Sequence, residues 1–376
     1  MMNTYNYAKA AKLIFSGSDY FEKLDAVIEN AKDCIHLQTY IFNLDETGIA
    51  VLNSLKKAAQ RGVKIFVLAD AYGSKAITRK DIRKINADGI HFRLFSPLFS
   101  SESIYPGRRL HHKIAVIDRH TALIGGINIA DKYRGTSAEP AWLDYGVMIE
   151  GAICTQLHTI CEEFYERKQQ QDIRKEITKT EGENIPVRFN QNDWIKGKNE
   201  IHKSYFQALR NSKTSIIFIA SYFLPGYRFR KALTKAKKRG VDVCIVLAGK
   251  SDMPFLWYAE KYFYPFFLQN GIRIFEWKNS IMHAKAVIVD NDWVTIGSYN
   301  LNPVSHYLSI ELNAEIKDRQ FTAEFRKHIT EIIDQACLEV TLKQNPYSLS
   351  WLARTRNSIL YYFFKFIFLI FISKKR

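Results

Sequence analysis

The chain has 376 residues, of which 47% are hydrophobic, so it is long enough for two domains with sizeable cores. Its five cysteines show neither a C-x-x-C pair nor metal-type spacing with histidine. This argues against a disulfide framework and a zinc site, and favours reduced core thiols in a protein that faces the cytosol. The formal net charge of +16 favours a polyanionic partner, either nucleic acid or an anionic membrane surface.

The chain contains an internal repeat. Residues 33–70 and 214–248 both predict a strand, a turn, an amphipathic helix, the triplet Arg-Gly-Val and a second strand. A further helix is predicted ahead of each unit, at 18–30 and 200–210. The strand after each triplet is an apolar run, which is typical of a sheet covered on both faces.

The repeat predicts an α/β fold of two fused halves, each a mixed sheet flanked by helices, with the active site at the pseudo-two-fold interface between them. We expect the first half at residues 1–168, a polar linker at 169–195 and the second half at 196–345. After its second strand, each half continues through a short helix, a Gly-Ile strand and a variable loop to the same motif.

The motif is H-x-K-x4-D followed by G-[GS]-x-N. Its members are His111, Lys113, Asp118, Gly126 and Asn128 in the first half, and His283, Lys285, Asp290, Ser298 and Asn300 in the second. One copy alone would be weak evidence for a site. Two copies at the same offsets and in matched structural context indicate a functional pair.

Each motif predicts a β-hairpin that turns just after its aspartate. If the turn has two residues, Asn128 lies opposite His111 and Gly126 opposite Lys113, with the equivalent pairing in the second half. His112 points to the other face, because side chains alternate along a strand. We expect the motif aspartates to cap their own turns, which is a structural rather than a chemical role.

Two such patches facing each other would suit a phosphodiester. The lysines would neutralise its non-bridging oxygens and the asparagines would donate further hydrogen bonds. One histidine would attack phosphorus to give a covalent phosphohistidine, and the other would protonate the leaving alcohol and then deprotonate the incoming one. We expect neither a metal nor a cofactor, because the lysines supply the positive charge.

An attacking imidazole needs an acceptor on its other nitrogen, and a carboxylate in that place also stabilises the cation that forms. Each half has one candidate downstream on a strand-like segment, Asp144 in WLDYGVMIEG and Glu311 in LSIELNAEI. The sequence leaves open whether these carboxylates orient the histidines or lie on edge strands and face water.

The doubled motif resembles that of the phospholipase D superfamily, and the similarity extends over residues 16–340. Within the superfamily, HLQTYIFNLDETG, SYFLPG and MHAKAVIVDNDWVTIGSYNLN are similar to bacterial cardiolipin synthases of the short type, which begin without membrane-spanning helices. The resemblance implies transfer of a phosphatidyl group between phospholipids, with phosphatidylglycerol as the expected acceptor. It also implies that His111 is the nucleophile and His283 the general acid and base.

Two positions depart from the family pattern. Leu110 stands where asparagine is common before the first motif histidine, and Asn302 stands where aspartate is common after the second motif. These departures bear on the identity of the two lipids rather than on the chemistry.

Several reactions are compatible with this site. Phospholipid hydrolysis, head-group exchange and cardiolipin synthesis differ only in the acceptor, and a nuclease is a less favoured alternative. Apolar loop segments at 97–99 and 104–106 and the aromatic segment 253–268 favour lipid. Polar breaks at Glu260 and Lys261 predict a helix with a face left for acyl chains, although a buried helix would carry the same aromatics. The oligomeric state is left open.

The C-terminal segment 346–376 predicts a membrane anchor. Its apolar stretch Ile359–Ile372 is interrupted by Lys365, and it is shorter than the roughly 20 apolar residues needed to cross a bilayer. Basic residues flank the stretch, as in helices that lie in an anionic membrane interface. We therefore expect a peripheral or monotopic protein of the cell membrane, on its cytoplasmic side. The alternative is a terminal helix docked on the core.

Overall fold

The two halves form two mixed β-sheets flanked by helices, so the predicted α/β class is confirmed. The computed structural model describes residues 4–97, 108–167, 182–343 and 350–373, without the side chains of 367–373. The elements of the first half are β1 (Asn6–Ala8), β2 (Ala10–Phe15), α1 (Ser18–Glu29), β3 (Cys34–Thr39), α2 (Glu46–Gln60), β4 (Lys64–Asp70), α3 (Arg79–Ala87), β5 (Ile90–Phe95), β6 (Arg109–Leu110), β7 (Lys113–Ile117), β8 (Thr121–Gly125), α4 (Asp131–Arg134), β9 (Tyr145–Glu150) and α5 (Cys154–Glu166).

The second half repeats the main elements of this series and adds several, including a strand and a helix at its C-terminal end. Its elements are β10 (Ile185–Asp193), β11 (Lys198–Asn199), α6 (Glu200–Asn211), β12 (Ser215–Ala220), α7 (Tyr227–Lys238), β13 (Asp242–Ala248), α8 (Pro254–Lys261), α9 (Tyr264–Gln269), β14 (Arg273–Trp277), β15 (Lys285–Val289), β16 (Trp293–Gly297), α10 (Pro303–Tyr307), β17 (Ser309–Ile316), α11 (Arg319–Ala336), β18 (Cys337–Val340) and α12 (Trp351–Ser373).

The two sheets share one strand order. The first sheet runs β2-β9-β8-β7-β3-β4-β5, and the second contains β10-β17-β16-β15-β12-β13-β14 in the equivalent order. In each sheet three neighbouring strands are parallel and the motif hairpin joins them antiparallel. Two short strands of the first half, β1 and β6, pair with β10 and β17 of the second. The halves are therefore joined through backbone hydrogen bonds as well as through packing.

An apolar layer shared by both sheets fills the space between them. Buried side chains of the first sheet, such as Val116 and Val147, belong to the same cluster as Ile288 and Ile296 of the second. The outer face of each sheet is covered separately, by α1 and α2 in the first half and by α6 and α7 in the second. Because both faces of the motif strands are buried, the polar residues of the motif lie at or just beyond the ends of these strands.

The Arg-Gly-Val triplets end α2 and α7 in the same way. Gly62 and Gly240 adopt φ values of 91° and 90°, which residues with a Cβ atom rarely adopt. The arginines before them, Arg61 and Arg239, each donate at 2.8 Å to a carbonyl near the end of the preceding helix, those of Ile28 and Leu209. The repeated triplet thus fixes the angle between two helices in each half.

Part of the segment predicted as a linker is a strand of the second sheet. Residues 185–193 form β10, which pairs with β17 along six residues, whereas residues 168–181 lie outside the described residues. The prediction of a linker over 169–195 is wrong there because polar residues were taken as exposed. Arg188 and Asn190 are in fact buried. Burial is tolerated because both side chains donate to the carboxylate of Glu315, at 2.6 and 2.7 Å.

The aromatic segment 253–268 forms two short helices. Its two charged residues do not mark a helix face left open for acyl chains, contrary to the prediction from the sequence. Glu260 and Lys261 are almost fully buried. Lys261 Nζ lies 2.8 Å from the carboxylate of Glu276, and Glu260 accepts the backbone N–H of Phe223 at 2.8 Å. Burial of an ion pair is tolerated when each charge finds such partners. Most of the predicted apolar loop, at 98–107, lies outside the described residues.

The C-terminal helix α12 docks on the core and also exposes apolar side chains. Tyr361 stacks on Tyr262 with ring centroids 4.5 Å apart, and Asn357 is 2% exposed. The side chains of Ile359, Tyr362, Phe363 and Phe366 share another face of the helix and are more than half exposed. Among the described residues, we find no helix that is both long and apolar enough to cross a membrane.

Candidate active site

The motif hairpins exist, but the predicted register is wrong. Ile117 pairs with Thr121 and Ile114 with Ile124, so three residues rather than two form the turn. In the second half, Val289 pairs with Trp293 and the turn again has three residues. Each register is therefore shifted by one residue, and the asparagines do not lie opposite the histidines in a continuous ladder.

The motif aspartates explain the longer turn. Asp118 and Asp290 have φ values of 50° and 48°, in the left-handed region that aspartate tolerates better than most residues. The Asp118 carboxylate accepts three backbone N–H groups at 2.8–2.9 Å, from residues 32–34 at the start of β3. Asp290 binds residues 213–215 at the start of β12 in the same way. Both aspartates thus hold the neighbouring strand rather than capping their own turns.

Two reciprocal backbone bridges place the histidines at the contact between the halves. The N–H of His111 donates to the carbonyl of Ile310 at 2.9 Å, where β6 runs parallel to β17. The N–H of His283 donates to the carbonyl of Leu143 at 2.7 Å, beside a parallel bridge between Leu143 and Met282. Each histidine is therefore held next to the residue that precedes a candidate carboxylate of the other half.

Each carboxylate binds the histidine of the opposite half. Glu311 Oε2 lies 2.9 Å from His111 Nδ1, and Asp144 Oδ2 lies 2.7 Å from His283 Nδ1. Both carboxylates are inaccessible to solvent, whereas the two imidazoles retain 13% and 8% exposure. The alternative of edge-strand carboxylates facing water is therefore wrong. At His111 the acceptor on Nδ1 favours the tautomer in which Nε2 is unprotonated and available. At His283, Nδ1 faces Asp144 and also the Lys285 ammonium, at 2.8 Å.

The position after the motif glycine distinguishes the two histidine–carboxylate pairs. Ser298 Oγ donates to Glu311 Oε2 at 2.5 Å and accepts the N–H of Leu312 at 3.1 Å. Its counterpart Gly126 has no side chain, and a Cβ there would lie only 2.2 Å from Asp144 Oδ1. A serine thus supports one carboxylate, while the other needs the space that a glycine leaves.

The motif asparagines bind the chain that follows the neighbouring strand. Asn128 Oδ1 accepts the N–H of Ile41 at 3.0 Å, and its Nδ2 donates to the Tyr133 hydroxyl at 2.7 Å. Asn300 Oδ1 accepts the hydroxyl of Ser221 at 3.1 Å. The amide of Asn128 is therefore used at both ends inside the protein, where it orders the surroundings of the histidines.

Both motif lysines fold back onto their own histidines. Lys113 Nζ donates to the carbonyl of His111 at 2.9 Å, and Lys285 Nζ donates to the carbonyl of His283. Burial lowers the pKa of Lys113 to about 7 and that of Lys285 to about 8, although the carboxylates nearby oppose the change. The two ammonium groups are thus costly to keep charged without an anion beside them.

The histidines are held mainly in their neutral form. Burial lowers the pKa of His111, and the Glu311 carboxylate opposes this effect. Burial together with the charges of Lys285 and Lys113 holds the pKa of His283 well below its usual range. Burial also raises the pKa of Asp144 to about 7. Burial thus disfavours the charged form of each of these groups, and an anionic ligand beside the lysines would stabilise their charge.

Aromatic rings surround both histidines, and sequence reasoning assigned none of them to the site. Tyr40 lies 4.9 Å from His111, measured between ring centroids, whereas Tyr133, Trp142 and Tyr222 lie 5.3, 6.0 and 6.2 Å from His283. Tyr222 belongs to SYFLPG, which the resemblance already singled out. Tyr133 and Trp142 have no matched copy in the other half, so the repeat gave no signal for them.

The neighbouring histidine takes no part in this cluster. His112 is fully buried and its Nδ1 lies 3.0 Å from the side-chain oxygen of Gln38. Its ring packs against Phe164 on α5, away from Lys113 and its partners. The prediction that His111 and not His112 joins the motif lysine at one site is consistent with these contacts.

Comparison with known proteins identifies the family. The family model described as cardiolipin synthase, PLD-like domain, matches residues 24–165 and 205–333. The chain is 30% identical over 363 residues to cardiolipin synthase B of Escherichia coli (strain K12), which covers 94% of this chain and 87% of that protein. It is 29% identical over 353 residues to the cardiolipin synthase of Clostridium perfringens (strain SM101 / Type A), with 91% and 74% covered.

A solved structure agrees with this assignment at the level of the fold. The phosphatidylserine synthase of Haemophilus influenzae Rd KW20 has a TM-score of 0.75 and 17% sequence identity, covering 97% of this chain and 95% of that one. The doubled motif, the paired sheets and the family match all agree. The chain belongs to the cardiolipin synthase family of phospholipase D-like domains and is an enzyme of that family.

Proposed function

We propose that the protein transfers a phosphatidyl group from one phospholipid to another through a covalent phosphohistidine. The observation that carries this proposal is the reciprocal pairing of Glu311 with His111 and of Asp144 with His283. Because each carboxylate accepts the Nδ1 proton, each imidazole presents Nε2 for reaction. A scaffold that only bound lipid would not require two such pairs.

The first step forms the covalent intermediate. Nε2 of His111 attacks phosphorus, and the bond from phosphorus to the leaving alcohol oxygen breaks with its electron pair on that oxygen. Nε2 of His283 donates a proton to the same oxygen. The assignment of His111 as nucleophile follows the resemblance, and the additional hydrogen bond from Ser298 to Glu311 supports it. That hydrogen bond holds the carboxylate in place beside His111, where it stabilises the cationic phosphohistidine.

The second step releases the product. Nε2 of His283 removes the proton of the acceptor hydroxyl, and the acceptor oxygen attacks phosphorus. The bond from phosphorus to nitrogen breaks, and its electron pair returns to His111. If phosphatidylglycerol is the acceptor, the product is cardiolipin, and if water enters instead, the product is phosphatidic acid.

The lysines bind the phosphodiester in both steps. Lys113 and Lys285 are buried near the histidines, and burial depresses the pKa values of all four groups. A bound phosphodiester anion raises these pKa values again, which keeps the lysines charged and protonates His283 for its role as acid. The charge that develops on the phosphoryl oxygens is then stabilised by two ammonium groups in a water-poor site.

We also propose that α12 attaches the enzyme to a membrane surface. Its exposed stripe of Ile359, Tyr362, Phe363 and Phe366 suits the acyl region just below the head groups. The net charge of +16 suits anionic lipid, as on a cytoplasmic leaflet. Since the face around Tyr361 packs on α8, the helix would lie flat on the bilayer while remaining docked to the core.

Lipid analysis of cells tests the proposed reaction. The full chain is expressed in cells without other cardiolipin synthases, and phospholipids are measured by mass spectrometry. The proposal predicts new cardiolipin with the wild type and none with His111→Ala or His283→Ala, whereas His120→Ala, in an exposed turn, behaves like wild type. Phosphatidic acid alone would indicate hydrolysis. Unchanged lipids together with cleavage of DNA by the purified protein would contradict the proposal.

A further inference from the structure

The two sides of the site have different roles in the proposed transfer, and this inference rests on that reaction. In phosphoryl transfer the attacking and leaving groups lie roughly in line on opposite sides of phosphorus. With His111 on one side, the leaving and incoming alcohols both lie on the side of His283. Groups around His283 that the proposed chemistry does not use therefore face the head-group alcohol.

A polar cluster extends outward from the aromatic wall at His283. The ring of Tyr222 lies 6.2 Å from the imidazole, and its hydroxyl donates to the carboxylate of Asp252. Asp252 is exposed, just before α8. Lys132 Nζ lies 4.3 Å from the centroid of Trp142, whose ring is 6.0 Å from His283. One ammonium group thus lies over the indole of Trp142, and one carboxylate binds the hydroxyl of Tyr222, whose ring lies beside the acid–base histidine.

Lys132 is a half-buried cation without a carboxylate partner. Within the part of the chain that the structure describes, its Nζ makes no ion pair within 4.0 Å. Burial lowers the pKa of Lys132, while the carboxylates of Asp252 and Asp45 act in the opposite direction. A half-buried ammonium group is stabilised when a ligand oxygen replaces the lost water.

On the side of His111, the described part of the chain offers no equivalent groups. On this side Asp70 is fully buried, and its carboxylate accepts the N–H groups of Leu110, Tyr72 and Gly73 at 2.8, 2.9 and 3.2 Å. Arg109 lies 3.7 Å from the same carboxylate. Asp70 and Arg109 are thus paired inside the protein. Among the residues that the structure describes, only the side of His283 presents an exposed acceptor together with a donor that has no ionic partner.

We infer that Lys132, Trp142, Tyr222 and Asp252 form the subsite for the head-group alcohol and select a head group with more than one hydroxyl. A hydroxyl both donates and accepts, so one can bind the Asp252 carboxylate and another the Lys132 ammonium. The carbon atoms of a glycerol unit can lie against the indole of Trp142. An ammonium head group would also be attracted by Asp252, but Lys132 would repel it.

Competition between two alcohols tests the subsite without depending on overall activity. The full-length protein is given phosphatidyl-p-nitrophenol, whose leaving group is the same in every reaction, with glycerol and 1-propanol at equal concentration. The ratio of phosphatidylglycerol to phosphatidylpropanol is read by mass spectrometry. Wild type should favour glycerol. Asp252→Asn and Lys132→Met should each lower the ratio about tenfold, in line with the loss of one hydrogen bond to a charged group.

Control variants and a third alcohol define what would overturn the inference. Tyr222→Phe removes only the hydroxyl that orients Asp252 and should lower the ratio less, while Glu324→Gln, exposed on α11, should leave it unchanged. A wild-type ratio in active Asp252→Asn and Lys132→Met proteins would overturn the subsite alone. A selective loss of transfer to ethanolamine in Asp252→Asn would overturn the assignment to a polyol. Wild-type protein that consumes no donor would contradict the transfer reaction itself, and the subsite with it.

Discussion

Glu311 of the second half binds Nδ1 of His111 in the first half at 2.9 Å, and Asp144 of the first half binds His283 of the second at 2.7 Å. Each imidazole therefore depends on the opposite half for its tautomer and its orientation. Although the motif is written twice, neither half contains a complete histidine–carboxylate pair. The sites form only when β6 pairs with β17 and the segment at Leu143 pairs with Met282.

The crossed pairing predicts that the two carboxylates affect different chemical steps. Glu311→Gln should slow phosphohistidine formation with any donor, by about 10²–10⁴-fold, because His111 loses its tautomer and its charge partner. Asp144→Asn should slow proton transfer by His283. The first step of this variant should return to the wild-type rate with phosphatidyl-p-nitrophenol, because the p-nitrophenolate leaving group needs no proton. Rapid-quench kinetics with phosphatidylglycerol and with phosphatidyl-p-nitrophenol measure the rate of phosphohistidine formation in both variants. Equal losses with both donors in both variants would contradict the crossed assignment.

The close packing at Gly126 predicts that a substitution there produces the same kinetic defect as Asp144→Asn. A Cβ at Gly126 would lie 2.2 Å from Asp144 Oδ1, so Gly126→Ala must displace the carboxylate that binds His283. We expect a kinetic defect like that of Asp144→Asn and only a small change in the thermal unfolding temperature. Gly226→Ala is the matched control, because nothing lies within 4 Å of its Cβ. Normal turnover by Gly126→Ala would show that Asp144 is not held as described.

The motif aspartates are expected to act on stability rather than on catalysis. Asp118→Ala leaves three backbone N–H groups of residues 32–34 without their acceptor. Two of these hydrogen bonds are exposed and that of Cys34 is partly buried, so the total loss should be about 1–3 kcal/mol. Thermal denaturation measures this loss, and activity per folded molecule at a temperature well below the transition should stay near wild type. A variant as stable as wild type but inactive would instead place the aspartate in the chemistry.

Asp290 gives this stabilisation a predictable pH dependence. Burial acts to raise its pKa, but hydrogen bonds from the N–H groups of Thr214, Ser215 and Lys213 prevail and hold it below the usual value. A lowered native pKa means that the contribution is present above pH ~4, the ordinary value for aspartate, and is lost as the pH falls through the native pKa. Asp290→Asn should remove this part of the acid sensitivity, as seen by unfolding at pH 3 and pH 7. An identical acid response in wild type and variant would contradict it.

The exposed stripe of α12 predicts which substitutions release the protein from lipid. Changing Ile359, Phe363 and Phe366 together to serine removes three large apolar side chains, each worth about 1.5–3 kcal/mol when buried in a bilayer interface. Co-sedimentation with anionic vesicles should drop strongly, while circular dichroism stays unchanged. Leu338→Ser, at a comparably exposed apolar position on β18, is the control. Full vesicle binding by the triple variant would contradict attachment through α12.

The repeat and its motif sufficed to predict the sheets and the hairpins, and the sequence offered the two carboxylates as candidates whose role it left open. The hairpin register could not be predicted, because the length of the turn depends on Asp118 reaching across to the backbone of residues 32–34. The strand at 185–193 was missed because Arg188 looks exposed in the sequence, although Glu315 neutralises it inside the protein. Patterns within one segment do not contain such partners.

The crossing of the carboxylates also lies beyond what sequence reasoning reaches. Asp144 and Glu311 are visible as carboxylates on strand-like segments, but which histidine each one serves depends on how the halves pack. Tyr133 and Trp142 show the limit of the repeat itself, since neither has a copy in the other half. Residues that make the two sides different leave no signal in an argument based on their similarity.

The most direct test of the account is the burst of leaving group from a histidine variant. Phosphatidyl-p-nitrophenol bypasses the acid, so His283→Ala should release about one equivalent of p-nitrophenolate per protein and then stop, because no base activates the acceptor. The phosphatidyl group should then be found on the peptide that contains His111. His111→Ala should show no burst, and His120→Ala should turn over like wild type. A burst retained by His111→Ala would contradict the assignment of His111 as the covalent nucleophile.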